Sequence, residues 1–493
     1  MRIAFDNDKY LKLQSENILD RVSKFGNKLY LEFGGKLFDD FHASRVLPGF
    51  LPDAKLKMLL TLKDQVEVII VINAKDIQKN KVRSDLNINY ESEVLRLIDA
   101  FRASELLVGS VCITQYIANP QVDAFKNKLN NLGIKTYLHY EIKGYPHDLA
   151  NIISDEGFGK NEYIETTKPI VVVTAPGPGS GKMGTCLSQL YHEHKRGIKA
   201  GYAKYETFPI WSINLKHPVN LAYEAATADL NDVNMIDPYH LEAYGKMAVN
   251  YNRDVEIFPV VKSMFEAIYG GCPYKSPTDM GVNMAGFAIC DEENAHKASK
   301  DEIIRRYLNT LVDIRNGKAT QDAADKIALL MRSLNITVDD RKCVKAAIEK
   351  GQKTNTVSMA MELEDGTIVD AKTSALLSAP AALVLNALKH LAGIDDSLLL
   401  ISPTLIEPIS RMKINNLGNH NPRLHIDEVL IALTISAQSN PLAALAMQQL
   451  DNLAHCQAHA TVILPQQDAG VFKKLKIEVT TEPEVYAHKL YVK

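Results

Sequence analysis

The stretch "PIVVVTAPGPGSGKMGTCLSQLYHEH", Pro169 to His194, decides how the chain is read. A β-branched run, Ile170 to Val173, meets a turn holding Gly177, Gly179 and Gly181, and then passes into a helix-forming segment. That order is how a phosphate cradle begins: backbone N–H groups and the positive end of a helix dipole face the anion. Glycines give the backbone its freedom there and let the phosphate come close. In the pattern G-x-x-x-x-G-K-[ST], the lysine reaches the terminal phosphates and the following hydroxyl ligates Mg2+.

Two positions depart from that pattern. It would place glycine at Pro176 and a hydroxyl at Met183. Pro176 and Pro178 have no N–H to give, although they stiffen the turn. Met183 is no hard oxygen ligand. Thr185 follows two residues later, roughly 200° around a helix, so it is no simple substitute. The residues expected to hold the cofactor are Gly177, Gly179, Ser180, Gly181, Lys182 and Thr185, and the cofactor expected is ATP with Mg2+. The alternative is a tight strand–helix turn with an exposed lysine.

Upstream, strand-like and helix-like segments alternate: "KLYLEFGG" from Lys28, "VEVIIVINA" from Val66, "YESEVLRLIDAF" from Tyr90, "LLVGSVCITQY" from Leu106, "QVDAFKNKLNNLG" and "IKTYLHYEI". The continuous apolar run at Val66 suits a parallel strand buried on both faces. Repeated β-then-α order predicts a parallel sheet. Downstream, "GIKAGYAKYETFPIW" predicts a strand with Lys204, Glu206 and Thr207 at its C-terminal end, where open parallel sheets gather ligands. Lys182 and Lys204 are the candidate catalytic residues. Asp237, in the Walker B-like run "VNMIDP", and Glu206 are the candidate Mg2+ ligands, against an alternative of capping and turn formation.

From about Asp291 the pattern turns helical, with "AIEKGQKTN" as a connection, "VSMAMELEDGTIVDAK" as a hairpin turning at Asp365 and Gly366, and further strands at "SLLLIS" and "ATVILP". The expected fold class is α/β: a parallel-sheet, P-loop-like N-terminal domain (1–288), a small helical middle domain (289–352) and a smaller α/β C-terminal domain (353–493). Before a predicted helix, "LGNHNPRLHIDEVL" gathers His420, Asn421 and Arg423 as candidate substrate-binding groups, with helix capping as the alternative. "FGGKLFDDFHASRVLPGF" brings Gly34, Lys36 and Asp40 to the end of the first strand, and "SPTDMGVNMAGF" is a small-residue loop.

Bulk properties exclude several classes. At 493 residues the chain is long enough for roughly three domains. A formal net charge of -3 offers no attraction to nucleic acid or an anionic membrane. No apolar run approaches the ~20 residues of a membrane span. Six scattered cysteines suggest neither a zinc knuckle nor a disulfide framework. "YHEHKR" lacks the H-E-x-x-H spacing of a zinc-protease helix. A cytoplasmic protein is expected, partnered by a phosphorylated small molecule and compatible with a homo-oligomer.

With "TAPGPGSGK", "GYAKYETFP", "HPVNLAYEAATADLNDVNMIDP", "SPTDMGVNM" and "NPRLH", the chain resembles the bacterial family catalogued as domain of unknown function 1846, over essentially its whole length. The resemblance implies an α/β domain, a helical middle and a further α/β region, and no established reaction. From the residues, the expected function is phosphate or nucleotide binding, with ATP-dependent ligation or phosphoryl transfer on a small metabolite. The alternatives are an enzyme of a phosphorylated metabolite without nucleotide hydrolysis, and a non-catalytic assembly or regulatory protein.

Overall fold

The computed structural model describes residues 3–35, 37–83, 86, 88–230 and 232–485. They fall into two compact units, one from Arg2–Glu224 and Asp232–Ser299, the other from Ala225–Asn231 and Lys300–Lys493. The boundary lies inside the helix Glu292–Arg315, and the helical middle groups with the C-terminal sheet.

The N-terminal unit is built on six parallel strands: β1 (Leu29–Phe33), β2 (Val66–Asn73), β3 (Leu107–Tyr116), β4 (Thr136–Tyr140), β5 (Ile170–Thr174) and β6 (Gly201–Tyr205). Their order across the sheet is β4-β3-β2-β5-β1-β6. All eight residues of β2 are buried, as suits a strand rich in valine and isoleucine inside a parallel sheet. Each such valine or isoleucine contributes roughly 1.5–3 kcal/mol by leaving water. After β2 the chain moves toward β3 and β4; after β5 it moves the other way, to β6. Because β2 and β5 are neighbours, the crevice at their C-terminal ends is the topological switch point of this sheet. The glycine-rich turn leaves β5 there.

A first helix, Asn7–Lys24, was not among the sequence expectations. Asp6 caps it through Lys9 N, and Tyr10, Gln14, Ile18 and Val22 form its buried stripe. The polar Gln14 breaks the apolar pattern, yet it is fully buried because its amide bonds the backbone at Val282 and Met284. Two short strands, β7 (Asn234–Ile236) and β8 (Val249–Tyr251), pair antiparallel in a sheet of their own.

In the C-terminal unit, helices Gln321–Ser333 and Lys342–Thr354 precede strands β9 (Ser358–Glu362) and β10 (Ile368–Lys372). These form the expected hairpin, with Gly366 in the left-handed region at φ 85. β11 (Gln457–Ala460) and β12 (Glu478–Thr481) complete a sheet ordered β10-β9-β11-β12. Three expectations fail, one of them "ATVILP", of which only Ala460 lies in a strand. "AIEKGQKTN" is helix rather than connection, with Gly351 admitting a close approach of Thr461. "SLLLIS" is not a strand; Leu400 and Ile401 enter the core from irregular backbone. Among the described residues no helix is long and apolar enough to cross a membrane. All six cysteines are free, and four are buried.

Candidate functional site

The turn after β5 is held from behind by its carbonyl groups. Ser180 Oγ donates to the Gly177 carbonyl (2.9 Å), Asn73 Nδ2 to that of Gly179 (3.3 Å), and Thr114 Oγ1 to that of Ser180 (2.7 Å). The Gly181 carbonyl accepts Thr185 N at 2.9 Å. Asn73 and Thr114 sit at the ends of β2 and β3, so the sheet itself supplies these anchors. In a trans peptide the N–H of the next residue points opposite to the carbonyl. The N–H groups of Ser180, Gly181 and Lys182 therefore point away from those donors. Among the described residues, the N–H groups of Gly177, Gly179, Ser180 and Gly181 donate to no protein acceptor. Gly181, at φ 90, opens the 14-residue helix Lys182–Lys195 without a side-chain cap.

The glycines are fixed by different constraints. A Cβ on Gly177 would lie 2.1 Å from the buried Tyr90 hydroxyl, whereas Gly179 has φ 74 and open space around it. Lys182 is half-buried at the helix start, and no ion pair to it is found among the described residues. Thr185 does not line the turn. It is buried, close to the Cys112 thiol, where the expectation was a cofactor contact.

A second polar group gathers at the end of β6. Asp254 holds Lys204 Nζ through both carboxylate oxygens, at 2.7 and 2.9 Å, Glu206 Oε1 lies 3.3 Å from the same ammonium, and the Tyr251 hydroxyl accepts from it. Tyr251 donates in turn to Glu206 at 3.3 Å. Burial alone would lower the Lys204 pKa, but Asp254, Glu206 and Glu32 hold it well above the usual lysine value. Lys204 is thus a fixed cation and not a nucleophilic amine. Burial pushes the Glu206 carboxyl up to about 7 against the pull of Lys204, with Asp254 and Glu32 adding to the push. Gly34, at the end of β1, makes room for it: a Cβ there would stand 2.2 Å from Glu206 Cγ. Beside it, Asp40 and Lys55 form a buried ion pair at 2.9 Å; Lys36 lies outside the described residues.

Lys204 and Glu206 open into a cleft of about 40 Å³, whose lining includes Trp211, Asn250, Thr278 and Asn283. That is room for roughly three waters, or for a group of carboxylate or phosphate size, and not for a whole nucleotide. The loop "SPTDMGVNM" forms its far wall: Gly281 bridges Lys204, Val282 N donates to the Lys204 carbonyl (3.0 Å), and Asn283 Nδ2 donates to the Thr207 carbonyl (2.7 Å). Asp237 supports this wall. Oδ1 accepts from Tyr239 N and His240 N, and Oδ2 from Thr278 N and Oγ1. Four donors occupy a fully buried carboxylate, and its strand pairs with β8 and not with the main sheet. Asp237, expected as a Walker B-like Mg2+ ligand, caps the helix Pro238–Tyr244 here. β1 separates β5 from β6, so the strands that carry the glycine-rich turn and the Lys204 group stand two spacings, about 10 Å, apart in the sheet.

Tyr251 and Asp254 escaped the sequence reading. Asp254 is in the first turn of the helix Asn252–Tyr269, where an acid is unremarkable, and it stands 50 positions from Lys204 with no motif joining them. Arg423, Asn421 and His420 belong to the other unit. Arg423 Nε donates to the Ser374 carbonyl (2.7 Å), Asn421 Oδ1 accepts Arg423 N (3.1 Å), and His420 is exposed. Their contacts brace a turn before the helix Ile426–Ser436, whose N-cap is His425.

Comparison with known proteins agrees over the full length. The model described as "Domain of unknown function DUF1846, N-terminal" matches residues 3–335, and its C-terminal counterpart matches 339–491. A UPF0371 protein of Streptococcus pyogenes serotype M3 is 56% identical over 491 residues, covering 100% of this chain and 99% of its own. A UPF0371 protein of Streptococcus thermophilus is 57% identical over 490 residues, with 99% of each chain covered. Matched in both parts and end to end, the chain belongs to the DUF1846 family of UPF0371 proteins.

Proposed function

We propose that the N-terminal unit binds a phosphate-bearing small metabolite on the turn Gly177–Lys182 and carries out proton-transfer chemistry on it at Glu206, without Mg2+-dependent nucleotide hydrolysis. The observation that supports this most is the orientation of the turn: its carbonyls are tied to the protein while its N–H groups, at a helix start and a sheet switch point, are left for a ligand. Lys182 adds a point charge. Glu206, with a carboxyl near neutrality, suits general acid–base work. Lys204 supplies a fixed positive charge for an anion developing in the reaction. Both groups lie at the C-terminal ends of strands of one sheet, an arrangement that suits a ligand with phosphate at one end and its reacting group at the other.

The ATP–Mg2+ reading is the second one, favoured by the placement of Lys182 after the glycines. It needs a metal ligand, and Met183 and the fully engaged Asp237 offer none. A thermal-shift screen separates the two. Wild type and Lys182→Ala are compared against phosphorylated metabolites and nucleoside triphosphates, with and without Mg2+. Ligand at about 100 times its Kd stabilises by roughly 2.7 kcal/mol. The expected result is a Mg2+-independent shift with a phosphorylated metabolite, lost in the variant. A Mg2+-dependent shift with ATP alone would favour the second reading, and no shift from either would end both.

A further inference from the structure

His217, Glu292 and His296 form a group that the proposed chemistry does not use. His217 precedes the helix Pro218–Ala226, while Glu292 and His296 are four apart on the helix Glu292–Arg315 and so share one face. His217 Nε2 lies 2.9 Å from Glu292 Oε2 and 3.0 Å from His296 Nε2, and His296 Nε2 lies 3.7 Å from the same carboxylate oxygen. Val219 N donates to His217 Nδ1 at 3.2 Å, so the neutral ring carries its one proton on Nε2. A single proton between a carboxylate and a second imidazole matches this convergence poorly; a cation matches it well.

The spacing selects the ion. A triangle with sides of 2.9, 3.0 and 3.7 Å has a circumscribed radius of about 1.9 Å, so a point about 2.05 Å from all three atoms exists just off its plane. Zinc binds imidazole nitrogen and carboxylate oxygen at roughly that distance. Mg2+ and Ca2+ prefer shells of six or more oxygens and fit two imidazoles badly. We propose that His217, Glu292 and His296 bind one divalent ion of the zinc class, with the fourth coordination position open on the exposed Glu292 side. Loading moves the His217 proton from Nε2 to Nδ1, a change between neutral tautomers, and gives up the long Val219 contact. The ion clips the two helix starts together. On the helix after His217, Asn220 holds Ile210 through both its N–H (2.8 Å) and carbonyl (3.1 Å), and the flanking Pro209 and Trp211 line the cleft. The site therefore steadies one cleft wall, and it stands whether or not the phosphate reading holds.

The test uses the full chain, stripped with a chelator and titrated with Zn2+ against a chromophoric competitor, with Co2+ as an absorbing substitute. The expected result is one tight equivalent, tetrahedral-type Co2+ bands, and little competition from Mg2+. His296→Ala, at a side chain 44% exposed, is expected to weaken Zn2+ by more than the about 100-fold that losing an outer-sphere partner costs, with unfolding of the metal-free chain unchanged. Glu292→Gln is the second variant, at a side chain 62% exposed. Failure to bind one equivalent, or wild-type affinity in both variants, would overturn the proposal.

Discussion

Two polar turns in this chain, each with a proline and a basic side chain, lead into helices: Gly177–Lys182 in the N-terminal unit and Asn419–His425 in the C-terminal unit. Their polar groups face different things. Before the helix Ile426–Ser436, Ile426 N donates to Asp468 Oδ1 (3.0 Å), His425 Nδ1 meets Asp468 Oδ2 (2.8 Å), and His425 N donates to Glu428 Oε2 (2.8 Å). The protein has placed its own buried anion on that helix start. Before Lys182 it has bonded the carbonyls instead, and among the described residues the N–H groups of Gly177, Gly179, Ser180 and Gly181 meet no protein acceptor. A polar turn at a helix start is a candidate ligand site only in the second case.

The largest expected effect breaks the closed turn. Asp468 is 1% exposed, and Asp468→Ala leaves a buried N–H and an imidazole without their partner. About 3 kcal/mol of stability should be lost, followed by urea unfolding and by hydrogen exchange at Ile426. The loss should depend on pH. The Asp468 hydrogen bond raises the His425 pKa, with burial opposing. A raised folded value means stabilisation that is full below about 6.5 and fades as pH rises through it. The gap between variant and wild type should therefore narrow from pH 6 into the alkaline range. A loss under about 1 kcal/mol would mean that Asp468 is not the anion that closes this turn.

A smaller effect is expected in the open turn, and it separates two reasons for glycine. Gly177→Ala drives a methyl into the Tyr90 hydroxyl and should cost about 2 kcal/mol by overpacking, partly recovered in the double variant with Tyr90→Phe. Gly179→Ala meets no atom and carries only the strain of φ 74, about 1 kcal/mol. Chemical denaturation followed by the single tryptophan, Trp211, reports on this unit. Equal costs, or no rescue, would remove the role given to Tyr90.

How far the sequence carried the reading follows from where each signal resides. β2, β5 and the turn between β5 and its helix were legible because periodicity and glycine spacing are local. The Lys204 group was half legible: Lys204 and Glu206 share a strand end, whereas Tyr251 and Asp254 arrive from another helix with no pattern of their own. Asp237 was ambiguous because an aspartate before proline reads alike as a metal ligand and as a cap; its four donors become visible only in the fold. His217 and His296 are 79 positions apart, beyond any ligand spacing a sequence displays.

The smallest effect concerns the carboxyl that the N-terminal unit leaves unbalanced. Asp468 has two protein donors in a closed site; Glu206 shares one ammonium with Asp254 and is raised from 4.5 to about 7 by burial. A carboxyl raised in the folded state binds its proton there more tightly than in the unfolded chain. The Glu206 contribution to stability should therefore be greatest below about 4.5 and decline as pH rises through about 7. Glu206→Gln stays neutral and should lack that decline. The difference should be on the order of 1 kcal/mol, because the side chain is 25% exposed and solvent screens it. Its window lies mainly below that of His425, so one series of unfolding curves from pH 4.5 to 9 resolves both. Parallel curves for wild type and Glu206→Gln would show Glu206 ionised throughout, an ordinary partner of Lys204, and the proton-transfer reading would lose the residue on which it depends.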